Sequence, residues 1–175
     1  IMSRYNVFGK SFIHIFIIMS LMSPPFIGAY SWIMLFGRAG FITSMFAKIG
    51  IHLPSIYGKL GIILVFTFKL FPYVYLYTSG AMGSIDSSIE EAAENLGSNK
   101  LRRLLTITLP VVAPSIAAGA IMVFMTSLAD FGTPMLIGEG YRTFPVVLYT
   151  EFINEVGGSD GFAAAIAVIA IVITT

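Results

Sequence analysis

The sequence predicts an all-α membrane protein, a polytopic bundle of transmembrane helices. Its 175 residues are 57% hydrophobic and only 11% charged, whereas soluble domains typically carry about 25% charged residues. The apolar residues form several runs long enough to cross a hydrocarbon layer of about 30 Å. The net charge of +1 gives no indication of a nucleic-acid partner, and the lack of cysteine excludes disulfides and cysteine metal sites.

The first predicted span covers residues 11–36 and is interrupted by Pro24 and Pro25. Proline removes a backbone donor and clashes with the preceding helical turn, so we expect a kink or a break there. The alternative to one kinked span is a helix that ends near Ser23 and a second, short helix from Pro25. Residues 37–54 are expected to form a loop with some amphipathic helix.

The rest of the chain is expected to alternate between apolar spans and polar connections. The last apolar run is too short to cross the bilayer, so we expect residues 1–175 to be a single domain that is incomplete at both ends. The predicted segments are a second span over 59–80, an elbow over 83–108, a third span over 109–131, an extracytoplasmic loop over 132–160 with a short interfacial helix at 144–153, and a truncated fourth span over 161–175.

The most polar stretch lies between the second and third spans and predicts two short helices joined by a glycine. Ser88 and Glu91 fit a capping box at the start of the first helix. Gly97 is placed to end that helix in a left-handed conformation, and a second helix is expected over 99–107. The first helix has one shallow apolar face, formed by Ile89, Ala92, Ala93 and Leu96.

Two interpretations of this elbow follow from the residues alone. An amphipathic helix can lie on lipid headgroups, or it can bind a protein groove. The acids of the first helix, such as Glu91, are repelled by anionic lipid, and alanines bury little area in lipid, which favours a protein partner.

Basic residues are divided almost evenly between the two sides of the membrane, so charge alone barely orients the chain.

The pattern Glu91-Ala92-Ala93, then Gly97, then Ile107, Leu109 and Pro110 matches a known signature without a departure. It resembles the E-A-A-x3-G-x9-I-x-L-P motif of the permease subunits of bacterial binding-protein-dependent ABC importers of the type I class. The resemblance extends to "SPPFIGAYSWIMLFGRAG" and "LADFGTPMLIGEGYRTF", so it covers nearly the whole chain. The second of these stretches looks most like permeases for ferric iron.

The resemblance implies that the elbow is a cytoplasmic coupling helix that docks in a groove of an ABC ATPase dimer. The other implied partners are a second permease half or subunit, an extracytoplasmic solute-binding protein and the lipid of the bacterial inner membrane, which the chain would cross several times. ATP would be bound by the ATPase, so no cofactor is expected on this chain. The residues implied in coupling are Glu91, Ala92, Ala93, Leu96, Gly97, Ile107, Leu109 and Pro110.

Lys69 lies near the middle of the second predicted span, where an ionised residue costs at least about 2.5 kcal/mol. We interpret it as facing a water-filled translocation path, with snorkelling or pairing to a neighbouring helix as the alternative. Asp130 ends the third span and is interpreted as a second path residue, or as a hydrated surface carboxylate. With Asp130 placed near the outer surface, a direct pair with Lys69 is not expected.

No motif indicates an enzyme. A phosphate-binding loop and metalloprotease motifs are missing, and the separated His14 and His52 do not suggest a metal site. The second functional hypothesis is a non-transporting membrane anchor whose elbow recruits a cytoplasmic partner. Prolines and a lysine within spans favour transport over an anchor. Ferric iron is the expected substrate, with phosphonate, thiamine, sulfate and polyamines as the alternatives.

Overall fold

The computed structural model describes residues 9–22, 24–153 and 160–174, in which the regular structure is helical and no strand occurs. This confirms the predicted all-α fold. The helices are α1 Lys10–Leu21, α2 Pro25–Phe36, α3 Phe41–Lys48, α4 Lys59–Ser84, α5 Ser87–Asn95, α6 Lys100–Arg103, α7 Leu109–Ala129, α8 Gly132–Ile137, α9 Phe144–Ile153 and α10 Asp160–Thr174; a π-helical turn, Leu104–Thr108, joins α6 to α7.

Three stretches of the described chain are long and apolar enough to cross a membrane: Phe26–Lys48, Lys59–Ser84 and Lys100–Ala129. The predicted span over 11–36 consists of two helices, because α1 ends at Leu21 and α2 begins at Pro25. Proline is well placed at that position, since the first turn of a helix needs no amide donor. The second elbow helix, predicted over 99–107, is not a separate helix. It begins with α6 and continues through the π-helical turn into α7.

The described residues divide into two compact units. The first contains α1 together with residues 70–124, and the second contains residues 24–69 together with 125–153 and 160–174. The long helices α4 and α7 therefore each contribute residues to both units.

In the second unit, a small apolar core forms where α2, α4 and α8 meet. Its buried members are Ala29, Ile56, Ile62, Val65 and Ile137. The loop before α4 approaches the helix so closely that a Cβ on Gly61 would lie 1.4 Å from the carbonyl oxygen of Ile56. Only glycine fits this approach, and the same added Cβ would lie 3.2 Å from the side chain of the buried Ile137 in α8.

In the first unit, two contacts tie the elements together. His14 Nδ1 and Tyr75 Oη form a hydrogen bond of 3.2 Å, so this histidine is a hydrogen-bonded residue of the helix packing. Gly119 of α7 lies so close to α4 that an added Cβ would be 3.1 Å from the Cα of Val74. Small residues at such crossings let membrane helices approach closely.

Candidate functional site

The first elbow helix, α5, begins at Ser87, two residues earlier than the capping box requires. Asp86 is the N-cap, and its carboxylate accepts a hydrogen bond of 3.0 Å from the backbone amide of Ser88. The predicted role of Ser88 as the cap is therefore wrong. Asp86 and Ser88 both have side chains that can cap a helix. Asp86 is favoured because its negative charge also interacts favourably with the helix dipole.

The same contacts set the charge state of the cap. Hydrogen bonds from Ser88, first from its backbone amide and then from its side chain, lower the pKa of Asp86 below its usual value because they stabilise the charged carboxylate. The start of the elbow therefore carries a fixed negative charge at neutral pH.

The turn after α5 confirms the conformation predicted for Gly97. This residue has φ +81°, its amide donates to Glu94 O at 2.9 Å, and the Ser98 amide donates to Ala93 O at 3.0 Å. The two bonds together form a Schellman motif, which satisfies the last carbonyls of the helix. A Cβ on Gly97 would meet nothing within 4 Å, so the glycine is needed for its backbone conformation and not for space.

The second part of the elbow is the start of a membrane-crossing helix. Asn99 caps α6 by accepting a hydrogen bond of 2.8 Å from the Arg102 amide. The helix then widens into the π turn, in which the Leu109 amide donates to Leu104 O, and it continues as α7. Pro110 follows at once and cannot donate to the carbonyl four residues earlier. The π turn, a feature common at functional sites, covers Leu104–Thr108 and so overlaps the Ile107-to-Pro110 part of the signature.

An ion pair joins the two parts of the elbow. Arg103 Nη1 donates to Glu94 Oε2 at 2.6 Å across nine residues of sequence. The arginine side chain is only 14% exposed, whereas that of the glutamate is 64% exposed. Sequence reasoning missed this pair; the signal was an acid before Gly97 and a base after it, at positions that a tight turn brings together.

The residues predicted to couple to an ATPase fall into two groups along the elbow. Glu91, Ala92, Leu96 and Gly97 are exposed on α5 and its turn, and Ala93 is half-buried. Leu96 is 89% exposed, so its side chain is available to a partner. Ile107 is half-buried in the π turn, and Leu109 and Pro110 are exposed at the start of α7.

The second candidate site contains both residues predicted to line a path. Lys69 Nζ forms a salt bridge with Asp130 Oδ2 and donates to Thr133 Oγ1 at 3.3 Å. The other oxygen of Asp130 accepts a bond of 2.9 Å from the Thr133 amide. The side chains of Lys69 and Asp130 are 21% and 5% exposed, and Thr133 is fully buried.

The expectation that Lys69 and Asp130 do not pair is therefore wrong. It rested on placing Asp130 at the outer surface of the membrane. Instead, Asp130 lies in the short turn between α7, which ends at Ala129, and α8, which begins at Gly132, and from this turn its carboxylate reaches Lys69 of α4. Within the described residues, no group of three or more histidine or acidic side chains is arranged to hold a metal ion.

Comparison with known proteins gives a consistent result. The sequence profile of the family "Binding-protein-dependent transport system inner membrane component" matches residues 1–175. A molybdenum transport system permease protein of Haemophilus influenzae is 31% identical over 91% of this chain and 71% of the relative. A probable sulfate transport system permease protein of Prototheca wickerhamii is 26% identical over 95% of this chain and 64% of the relative.

Ferric-iron permeases also match, but over a smaller part of their length. A putative ferric transport system permease protein of Haemophilus influenzae is 29% identical over 77% of this chain and only 22% of the relative. The chain thus spans about a fifth of the length of the ferric relatives that it matches. All of these relatives are named as transport system permeases, which are membrane transport components and not enzymes.

Proposed function

Because this chain belongs to the family of binding-protein-dependent transport system inner membrane components, we propose that it is the permease part of an ATP-driven importer. It is a multi-pass protein of the inner membrane, with three described stretches that can cross the bilayer. On this proposal the chain forms the path for the solute, and the elbow over 88–110 couples the path to a separate cytoplasmic ATPase.

The observation that carries the proposal is the exposure of the signature residues on a well-defined elbow. Gly97 adopts the left-handed conformation that ends α5, and Glu91, Ala92 and Leu96 lie open beside it. Alanines permit the close approach of a protein groove, and Glu91 offers a carboxylate to a basic side chain of the ATPase. An ATPase dimer supplies the nucleotide site, a second permease half or subunit completes the path, and an extracytoplasmic binding protein delivers the solute.

Charge reversal at Glu91 tests the docking role. Glu91→Lys should detach the ATPase during co-purification of the membrane complex, or leave ATP hydrolysis uncoupled from uptake, while the permease still inserts. Arg142→Glu is the matched control, because it reverses one exposed charge outside the elbow and should leave co-purification intact. Survival of both co-purification and uptake in Glu91→Lys would show that the coupling assignment is wrong.

The rival functions predict different results in the same preparation. A helix that only lies on lipid headgroups would bind no ATPase in either variant. A non-transporting anchor would bind a cytoplasmic partner but show no ATP-dependent uptake. The predicted placement of the elbow is tested by labelling Ser98→Cys in this cysteine-free chain, which a membrane-impermeant thiol reagent should reach only from the cytoplasmic side.

For the substrate we propose ferric iron, with molybdenum or sulfate as second candidates. Ferric iron is supported by the stretch from Leu128 to Phe144 and by the names of the ferric relatives; the other two are supported by relatives that align over more of their own length. Phosphonate, thiamine and polyamines complete the set of predicted alternatives. Uptake of radiolabelled ferric iron, molybdate and sulfate into vesicles with the intact system should identify one of the three, and uptake of none would reject this ranking.

A path role for Lys69 and Asp130 stays a prediction. The path role is predicted because a charged lysine within a membrane span needs water or an ion-pair partner to offset its cost. The salt bridge with Asp130 supplies that compensation inside the chain, so the contact supports a structural role at least as well as a role in the path.

A further inference from the structure

We propose that the ion pair between Glu94 and Arg103 fixes the angle between α5 and the helix that enters the membrane, so that force received on α5 reaches α7. We call this pair the elbow strap. The inference rests on the proposed coupling function and adds to it two positioning residues outside the signature.

The two halves of the strap belong to different rigid elements. Glu94 lies in α5, the helix that carries Glu91 and the other exposed signature residues. Arg103 ends α6, which continues without a break through the π turn into α7 and so forms one helical stretch over Lys100–Ala129. A bond between these two side chains therefore connects the docking helix to a membrane-crossing helix across the intervening turn.

Two residues of the turn between α5 and α6 are not packed against other side chains. The space beside Gly97 is open, since a Cβ there would meet nothing within 4 Å. Leu96, which precedes it, is 89% exposed and so is not held by an apolar contact. The Schellman bonds close the end of α5 and the Asn99 cap begins α6, but both caps act within their own helix. The strap is a side-chain contact that crosses from α5 to α6.

The environment of Arg103 suits this role. Ion pairs between exposed groups contribute little because water screens them, but the Arg103 side chain is 14% exposed, which limits both screening and side-chain motion. The strap also separates the tasks of two neighbouring acids. Glu94 is bonded within the elbow, whereas Glu91 is exposed on the same helix.

Spin labels can measure the elbow angle directly, because the chain has no cysteine of its own. Ser88→Cys and Leu101→Cys place labels on exposed positions of α5 and α6. The intact protein in nanodiscs should give a narrow distance distribution, and Glu94→Gln should broaden it. Arg102→Gln is the matched control: this neighbouring exposed arginine takes no part in the Glu94 contact, so the distribution should stay narrow.

A double-mutant cycle then ties the angle to coupling. Glu94→Gln and Arg103→Gln should each weaken binding of the cognate ATPase to the nanodiscs by about two- to fivefold, the range for a partly screened ion pair. The fold-loss of ATPase affinity in the double variant should be smaller than the product of the two single fold-losses, since both substitutions remove the Glu94–Arg103 contact.

Three results would overturn the strap. The first is an unchanged label-distance distribution in Glu94→Gln. The second is a broadened distance distribution with unchanged ATPase affinity. The third is fully independent effects of Glu94→Gln and Arg103→Gln on ATPase affinity. Failure of the unsubstituted permease to bind the ATPase would instead reject the proposed function, and the label distances would still decide whether the pair sets the angle.

Discussion

Replacement of Lys69 by methionine should destabilise the protein. Methionine keeps much of the length and apolar character of the lysine stem but removes the charged amine. Asp130 would keep the hydrogen bond from the Thr133 amide and lose the cation that neutralises it. Its side chain is only 5% exposed, so water cannot replace the lost partner.

The size of the effect follows from this burial. Removal of one partner from a buried ion pair costs about 3–5 kcal/mol, because an uncompensated charge is left behind. Lys69 is 21% exposed and one carboxylate oxygen stays bonded, so we expect the lower end, about 3 kcal/mol. The neutral variant Lys69→Met/Asp130→Asn should regain most of this loss, because it leaves no unpaired charge and its side-chain oxygen can still accept from Thr133.

Trp32 provides the assay, as the single tryptophan of the chain. Its ring lies 5.4 Å from that of Phe68, next to Lys69 in sequence. Its fluorescence can therefore follow unfolding of the purified protein as a denaturing detergent is titrated into mixed micelles. Lys59→Met is the matched control: it removes an exposed lysine from the start of the same helix and should change the free energy of unfolding by less than about 0.5 kcal/mol.

A loss below about 1 kcal/mol in Lys69→Met, or a double variant no more stable than the single one, would refute this reasoning. The path hypothesis makes the opposite prediction: Lys69→Met folds normally and alters the transport rate or substrate preference. Measuring uptake on the same preparations separates the two roles.

Three further predictions concern particular backbone and capping positions. Gly97→Ala should weaken ATPase binding through backbone strain of about 1–2 kcal/mol, whereas Gly97→Asn should retain more binding, since asparagine tolerates positive φ. Gly119→Val should lower the thermal stability by forcing α4 and α7 apart, but Gly80→Val should not, because space is open there. Asp86 has a lowered pKa, so its cap is intact above the ordinary carboxyl pKa and is lost as the pH falls through the lowered value. Mobility of a spin label on Ile89→Cys, an exposed position of the same helix turn, should therefore be constant above about pH 4 and rise below it, and Asp86→Asn should abolish that rise.

The features that the sequence predicted correctly depend on composition or on short-range pattern. The membrane class follows from the low charge content. The left-handed turn at Gly97 follows from a glycine at the end of an apolar helical pattern. The cap was mispredicted although it is also local, because Asp86 and Ser88 both have capping side chains and their spacing does not decide between them.

The features that the sequence could not predict depend on where the chain turns. Lys69 and Asp130 are 61 residues apart, and their contact requires that α7 end at Ala129 and that α8 pack inside the unit. A shift of the span end by a turn of helix, about 5.4 Å, would place the carboxylate elsewhere. Hydropathy locates the end of a span less precisely than one helical turn, so the contact between Lys69 and Asp130 could not be predicted from the sequence pattern.

The two ion pairs show why burial, more than charge pattern, determines what such a contact does. Lys69 and Asp130 lie largely away from water, so neither charge can be left alone, and removal of one should cost stability. In the elbow pair only Arg103 is largely buried, and Glu94 is 64% exposed, so Glu94 can be rehydrated when the bond opens and its loss should cost less stability than the loss of Lys69. A contact that contributes little to unfolding can still hold the angle between two helices. The Lys69–Asp130 pair is therefore expected to affect unfolding and the Glu94–Arg103 pair to affect coupling.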